Sequence, residues 1–160
     1  MALNLDKKKI IVTKFKEINK KAISIVIADF SGINVNSITE LRKNGRNNNI
    51  IIHVIRNKLL KLIIQNSHFK YLIDKIYGPI LVGYSFDHPG TAARLFKNFA
   101  QTNNNFKIKA AVFNNKLYDK NIDMLAELPT YKEAISILLK FLKNITVEQL
   151  IYVLFAINKK

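Results

Sequence analysis

The sequence predicts an α/β protein. We expect a layered N-terminal domain over residues 1–129, in which helices flank a mixed sheet of about four strands, followed by a C-terminal helical extension over residues 130–160. Three observations support this. Short β-branched runs alternate with longer segments of helical periodicity. The 160 residues are 49% hydrophobic, which is enough for a real core. A break at Leu128-Pro129-Thr130 precedes a tail in which eighteen of thirty residues are apolar or aromatic.

The first elements of the domain follow from periodicity and capping. A basic helix is predicted over residues 6–22, with Asp6 as its cap and its apolar residues on one face. Residues 23–28 are rich in β-branched side chains and predict a buried strand. A Ser and a Glu three residues apart form a capping-box pattern that opens at Ser37. The helix that follows should end near Gly45, because glycine is favoured just past a helix C-terminus.

The middle of the domain repeats this alternation. Residues 50–55 predict a second strand, and Asn57 is placed to cap a helix over residues 58–65. A second helical stretch is expected over residues 69–76. Residues 79–84 predict a third strand.

The last third of the domain completes the predicted sheet. Turn residues at 87–90 open a helix that runs to about residue 100. Residues 106–113 alternate, with Phe106, Ile108, Ala110 and Val112 expected on one face and lysines on a wet face. Two asparagines then turn the chain, and residues 122–128 predict a short helix.

The charge of the chain favours a polyanionic partner. The formal net charge is +15, and residues 1–70 hold fourteen Lys and Arg against four Asp and Glu. Basic side chains displace counterions from phosphates, so nucleic acid is the expected ligand. The alternative is that a lysine-rich surface only solubilises the protein. The remaining excess is small, net +2 over residues 71–130 and +3 over residues 131–160.

Composition also excludes several classes of site. The chain has no Cys, which rules out disulfides and thiolate metal sites and fits a reducing compartment. We expect no signal or transit peptide, because the N-terminus lacks an apolar h-region. The tail is interrupted by charges and is too short an apolar run to span a bilayer. Binding at a membrane surface is a less favoured alternative, because the charge excess lies at the other end.

No enzyme motif stands out. Phosphate-binding glycine loops, zinc-protease motifs and the nucleophile elbow are all missing from the sequence. Its three histidines, His53, His68 and His88, lack the spacing of metal ligands, and we expect no cofactor. A small phosphate-handling α/β enzyme is the runner-up interpretation.

Three basic groups suit an RNA backbone. The strongest of these groups lies after the second strand, where an Arg precedes the start of a helix. It is the strongest because free backbone N–H groups and a guanidinium fork both bind phosphate. The alternative is ordinary solvated helix faces. Few aromatic residues interleave the charges, so we expect folded RNA read by shape rather than a base-stacking platform. The predicted contacts are Arg56, Asn57 and Lys58, then Arg42, Lys43 and Arg46, and more weakly Lys7, Lys8 and Lys9.

Ordered motifs along nearly the whole chain carry a family resemblance. They are Met1-Ala-Leu-Asn-Leu5, Thr39-Glu-Leu-Arg-Lys43 with Gly45-Arg46, Val54-Ile-Arg-Asn57, Gly78-Pro79, Tyr84-Ser85, His88-Pro-Gly90 with Ala92-Ala-Arg-Leu-Phe-Lys97, Lys109-Ala-Ala111 and Leu128-Pro-Thr-Tyr131 with Glu133-Ala-Ile135. The chain resembles the bacterial stalk-base protein of the large ribosomal subunit, the L-ten family. Single motifs are weak, but their order is highly specific.

The resemblance implies a function and partners. Family members are cytoplasmic ribosomal proteins, not enzymes, whose N-terminal domain binds large-subunit rRNA beside a neighbouring ribosomal protein, L-eleven. Their C-terminal helix carries dimers of the acidic stalk protein, L-seven/L-twelve, which recruit translational GTPases. Members can also repress translation of their own message. The resemblance assigns rRNA binding to residues 1–129 and stalk-protein binding to the helical spine at 130–160.

The tail divides into two expected helical pieces. The first, residues 131–143, is apolar over most of its girth, and a capping-box pattern at Thr146 opens the second. Two segments suggest two stalk dimers. The expected contacts are Ile135, Leu138, Leu139, Leu142, Leu150, Ile151, Leu154 and Phe155.

Overall fold

The computed structural model describes residues 4–65, 67–119, 121–145 and 149–158. The chain forms two compact units, Met1–Leu128 and Pro129–Lys160. The helices of the first unit are α1 Leu5–Lys21, α2 Val35–Asn47, α3 Asn57–Ile64, a short 3-10 helix Lys70–Lys75, α4 Thr91–Thr102 and α5 Ile122–Ala126. Its strands are β1 Ser24–Asp29, β2 Ile50–Val54, β3 Ile80–Ser85, β4 Lys107–Phe113 and β5 Lys116–Tyr118. The second unit contains α6 Tyr131–Lys143 and α7 Gln149–Asn158.

The α/β class is confirmed, but the sheet differs from the expected one. It has five strands in the order β2-β3-β1-β4-β5, and every neighbouring pair is antiparallel. The sheet is therefore antiparallel and not mixed as predicted, and it has five strands where about four were expected. Helical crossovers do connect β1 to β2 and β3 to β4, as parallel strands require. Each such pair, however, is separated by a strand of the other crossover, which gives a split β-α-β arrangement.

Helices cover both faces of this sheet. On one face, α1, α3 and the 3-10 helix pack on a cluster that includes Ile25 and Ile27. On the other, α2, α4 and α5 pack on a cluster that includes Val26 and Ala28. Successive strand residues point to opposite faces, so a strand buried on both sides needs apolar residues at every position. This explains the continuous apolar run of β1.

A bulge in β4 changes which face of the sheet its side chains point to, so their alternation differs from the predicted one. Ile27 pairs with Ala110 but Ala28 pairs with Ile108, so Lys109 is the extra residue. An extra residue reverses the phase of the side chains. Ile108 accordingly packs with the α4 side of the sheet, whereas Ala110 packs with the α1 side. The predicted single apolar face and wet face were wrong for this strand.

Helix starts also differ from the predictions. The N-cap of α1 is Asn4, whose side chain accepts a hydrogen bond from the Leu5 N–H at 2.7 Å, and Asp6 lies in the first turn. The helix α2 begins at Val35, so Ser37 is already helical and does not cap it. In both cases the helix starts earlier than the strongest capping pattern, because an extended asparagine precedes it.

The end of α2 shows a different use of glycine. The helix continues to Asn47, so Gly45 lies inside it and not after it as predicted. An added Cβ at Gly45 would lie 2.7 Å from Ile52 Cδ1 on β2. The glycine therefore permits close packing of α2 on the sheet.

A hairpin after β4 supplies the strand that the sequence did not predict. Asn114 and Asn115 form the predicted turn with φ of 50° and 60°. Positive φ at both central residues matches the twist of hairpin strands. The following strand, β5, is only three residues long and pairs with β4 at the sheet edge.

The second unit contains two helices. Thr130 and Glu133 form a reciprocal capping box at the start of α6, and no residue of α6 is buried. The capping box expected at Thr146 falls on residues 146–148, outside the described residues. Within the described part of the chain, no helix is long and apolar enough to cross a membrane.

Candidate nucleic-acid interface

Two of the predicted basic groups meet at the start of α3. The helix α1 packs along α3, and a shallow groove between them is lined by Lys8, Arg56, Asn57, Lys58 and Leu59. Lys8 is half-buried there, whereas Lys7 and Lys9 are exposed on α1 and do not line the groove. Of the three predicted N-terminal lysines, Lys8 is therefore the one that lines the predicted phosphate site.

The backbone at this point forms an open helix N-terminus. Arg56 is extended, with φ −60° and ψ 133°, and no side chain caps the helix. Its carbonyl accepts hydrogen bonds from the N–H groups of Leu59 and Leu60, at 2.9 and 3.0 Å. The N–H groups of Asn57 and Lys58, which precede these two, have no acceptor one turn earlier in the helix, and they lie at the positive end of the helix dipole. This arrangement suits a bound anion.

Asn57 has a different role from the predicted one. It is the first helical residue, not the cap, and its side-chain amide donates a hydrogen bond to the carbonyl of Gly78 at 2.9 Å. Gly78 has φ of +73°, a conformation that favours glycine. The side chain therefore fixes the start of α3 to the loop before β3.

A partly buried ion pair lies at the same end of the sheet. Lys109 Nζ lies 2.9 Å from Asp29 Oδ2 and donates a hydrogen bond to the Tyr77 carbonyl at 2.6 Å. Burial raises the pKa of the Asp29 carboxyl, but hydrogen bonds from Ser31 and Lys109 outweigh it, so the pKa lies below its ordinary value. The sequence did not predict this support, because its members come from β1, β4 and the loop before β3.

The other predicted group lies along the exposed edge of the sheet. Arg42 and Arg46 of α2 line a groove with His53 of the edge strand β2, whereas Lys43 is exposed outside it. Partial burial, followed by the charges of Lys14 and Arg42, lowers the pKa of His53. The His53 ring packs edge-on against Phe15, with ring centroids 5.1 Å apart. This histidine is neutral near pH 7, and its neighbours supply the positive charge.

Most of these cations have no internal counter-charge. Ion pairs in the described part of the first unit join Lys75 to Asp119, Lys97 to Asp123 and Glu127, and Lys109 to Asp29. Among the described residues, none of the predicted Lys and Arg contacts takes part in an ion pair. Their charge is available to an external anion. Nor do the described residues contain a cluster of His, Asp or Glu that could hold a metal ion.

The predicted tail contacts are all exposed. In α6 they recur at the i, i+3, i+4 and i+7 positions of one helical face. In α7 they are equally exposed, and the whole helix is apolar apart from its ends. The residues are Ile135, Leu138, Leu139, Leu142, Leu150, Ile151, Leu154 and Phe155.

Comparison with known proteins assigns the family. The model of the family described as Ribosomal protein L10 matches residues 3–101. The chain is 49% identical over 161 residues to the Large ribosomal subunit protein uL10 of Buchnera aphidicola subsp. Schizaphis graminum, covering 100% of this chain and 98% of the relative. The chain belongs to the ribosomal protein L10 family. Proteins of the same name from Enterobacter sp. (strain 638) and Salmonella newport are 45% identical over 159 residues, covering 99% of this chain and 96% of each relative.

Membership of the L10 family settles the broad role of the chain. It is a structural, non-enzymatic protein of the large ribosomal subunit, and it associates with the ribosome. The resemblance inferred from the ordered motifs is confirmed. The interpretation as a small phosphate-handling enzyme is therefore set aside.

Proposed function

We propose that the first unit binds large-subunit rRNA through its basic surface, beside the ribosomal protein L-eleven, and that the second unit anchors dimers of the acidic stalk protein. Through those dimers the chain would support translational GTPases on cytoplasmic ribosomes. The same basic surface would bind the chain's own message in autorepression. The observation that carries the proposal is the open N-terminus of α3, where Arg56, Lys58 and Lys8 line one groove and form no ion pair with any described residue.

Phosphate binding follows from this geometry. Arg56 offers a planar guanidinium fork that can hold a phosphate by two charge-assisted hydrogen bonds. The N–H groups of Asn57 and Lys58 add donors whose positions are fixed, since the Asn57–Gly78 hydrogen bond holds the start of the helix in place. Arg42 and Arg46 extend the positive surface along the β2 edge. Fixed cations on a folded surface suit a folded RNA with phosphates at set spacings.

Protein binding follows from the exposure of the tail. A helix that is apolar over most of its girth is stable in water only when something covers it. Exposed apolar surface on this scale marks a protein interaction site. Lysines at 132, 140 and 143 lie beside the apolar face of α6 and favour an acidic partner.

The rRNA contact is tested with Arg56→Ala. We expect the full-length variant to bind a large-subunit rRNA fragment about 1–3 kcal/mol more weakly than wild type, because charge-assisted hydrogen bonds to phosphate are lost. The slope of log affinity against log salt should also fall by about one. Fluorescence anisotropy at several KCl concentrations measures both quantities. Lys116→Ala, which removes one exposed charge from β5, is the matched control, and equal losses in the two variants would contradict the site.

The stalk contact is tested by native mass spectrometry with the cognate acidic stalk protein. Two helical segments predict two bound dimers. Leu139→Glu places a charge on the apolar face of α6 and should remove one dimer, whereas Ser136→Glu, in the polar stripe of the same helix, should leave both bound. Three or more dimers on the wild-type chain, or equal loss in both variants, would contradict the assignment.

A further inference from the structure

An exposed aromatic residue lies in the loop that is hydrogen-bonded to the start of α3. Tyr77 is 61% exposed and directly precedes Gly78, whose carbonyl accepts the hydrogen bond from the Asn57 side chain. The ring therefore belongs to the loop that is tied to the phosphate site at Arg56. In sequence the two residues are far apart, so the charge pattern alone did not associate an aromatic residue with this group.

The Tyr77 ring is held from one side. Lys109 Nζ lies 4.3 Å from the ring centroid, and the same ammonium donates a hydrogen bond to the Tyr77 carbonyl at 2.6 Å. The Lys109 side chain is only 10% exposed and is fixed by Asp29. Lys109 therefore occupies one face of the ring, here called the inner face, and the ring's large exposure leaves the opposite, outer face as the one that a ligand could cover.

We propose that the outer face of Tyr77 is a stacking site for an unpaired nucleobase of the RNA whose phosphate binds at Arg56. The inference deepens the proposed rRNA binding and rests on it. A ring in the loop that is tied to the phosphate site suits RNA whose phosphates are held by the cations while an unpaired base covers the ring. Stacking on an aromatic ring accepts any base, because every base has a π-face.

Two of the carboxylates around this loop are paired with lysines, whereas Asp74 is exposed. The carboxylate of Asp29 is paired with Lys109, and that of Asp119 is paired with Lys75. The ring is rigid, since tyrosine has two side-chain torsions and the cation–π contact restrains them. Little conformational freedom would then be lost when a base stacks on it.

Tyr77→Leu tests the proposal in the full chain. Leu keeps apolar bulk but removes the π-face, so we expect affinity for the large-subunit rRNA fragment to fall by about five- to a hundredfold. The salt slope should stay at the wild-type value, because no phosphate contact is lost. Tyr77→Phe should bind like wild type. Tyr71→Leu, at a tyrosine of similar exposure (57%), is the matched control and should leave the affinity unchanged.

A fluorescent reporter shows the stacking directly. The chain contains no Trp, so Tyr77→Trp introduces a single one. Its emission should be quenched by an RNA hairpin with unpaired loop bases but not by a fully paired duplex, whereas Tyr71→Trp should respond to neither.

The outcomes separate this inference from the proposed function. If Arg56→Ala weakens binding but Tyr77→Leu does not, or if Tyr77→Trp is not quenched, base stacking is wrong and rRNA binding stands. If the wild-type chain does not bind the rRNA fragment at all, both proposals fail.

Discussion

Lys109 connects the interior of the sheet with the candidate RNA surface. It is the bulged residue of β4, the partner of Asp29 and the group beneath the Tyr77 ring. A bulge re-aims a side chain that a regular strand would direct elsewhere. Here it brings an ammonium to the end of the sheet where the Asn57–Gly78 hydrogen bond also lies.

The variant Asp29→Asn should reveal how much the ion pair with Lys109 contributes to the free energy of unfolding. The variant leaves a nearly buried ammonium without its counter-charge, and we expect it to lose about 1–3 kcal/mol of unfolding free energy at pH 7. The pKa of Asp29 in the folded protein lies below its ordinary value of 3.8. Its contribution is therefore complete above that value and is lost as the pH falls through the folded pKa.

Urea denaturation at pH 7 and pH 3 measures the difference between wild type and Asp29→Asn. The difference should shrink at the lower pH. Glu40→Gln, at an exposed carboxyl on α2, should change stability by no more than about 0.5 kcal/mol at either pH. An Asp29→Asn effect that does not depend on pH would exclude the ion pair as its source.

At the scale of elements, the sequence predicted the helices and strands that depend on local periodicity, and it missed the features that depend on pairing between strands. Hydrophobic periodicity located the helices and the four longer strands, because burial imposes those periods directly. The phase of β4 could not be predicted, since the bulge at Lys109 is defined only against β1. The three-residue strand β5 has too little periodicity to detect and exists by pairing with β4.

The same contrast applies to helix caps. Asp6 and Ser37 were plausible caps by residue type, but Asn4 and Asn34 precede the helices, because the path of the preceding chain decides where each helix begins. The box formed by Thr130 and Glu133 fits its sequence pattern and has both hydrogen bonds, at 2.9 and 3.4 Å.

Thr130→Ala should loosen the start of α6. Loss of an N-cap costs about 0.5–2 kcal/mol, and α6 has no buried residue to compensate. We expect amide hydrogen exchange in the first turn of α6 to accelerate about fivefold or more, with no change in β1 or β3. Ser136→Ala, inside the same helix, is the control. Equal acceleration in both variants would mean that the box does not stabilise the helix.

At the scale of the molecule, the residue types of the candidate site could be predicted from the sequence, but the long-range contacts that hold them in place could not. The residue types at Arg56 and Lys58 indicated phosphate binding, and the apolar tail indicated a partner. The support from Gly78, Lys109 and Tyr77 depends on long-range contacts that no local pattern contains. The sequence therefore predicted candidate contact residues, and the fold determines which of them lie together.

The two units differ in the physical basis of their proposed contacts, and this predicts opposite responses to salt. The rRNA contact releases counterions, so it should weaken steeply between about 50 and 200 mM KCl. Docking on α6 and α7 buries apolar surface, which salt does not weaken. A ternary complex of chain, rRNA fragment and acidic stalk protein should thus lose the RNA first as KCl rises, while the stalk dimers stay bound.

Size-exclusion chromatography with light scattering at increasing KCl measures both losses in one preparation. Arg56→Ala should shift only the RNA loss to lower salt, and Leu139→Glu should reduce only the number of dimers. If salt removes both partners together, the tail contact is electrostatic rather than apolar, and the assignment of the exposed leucines and isoleucines as its basis is wrong.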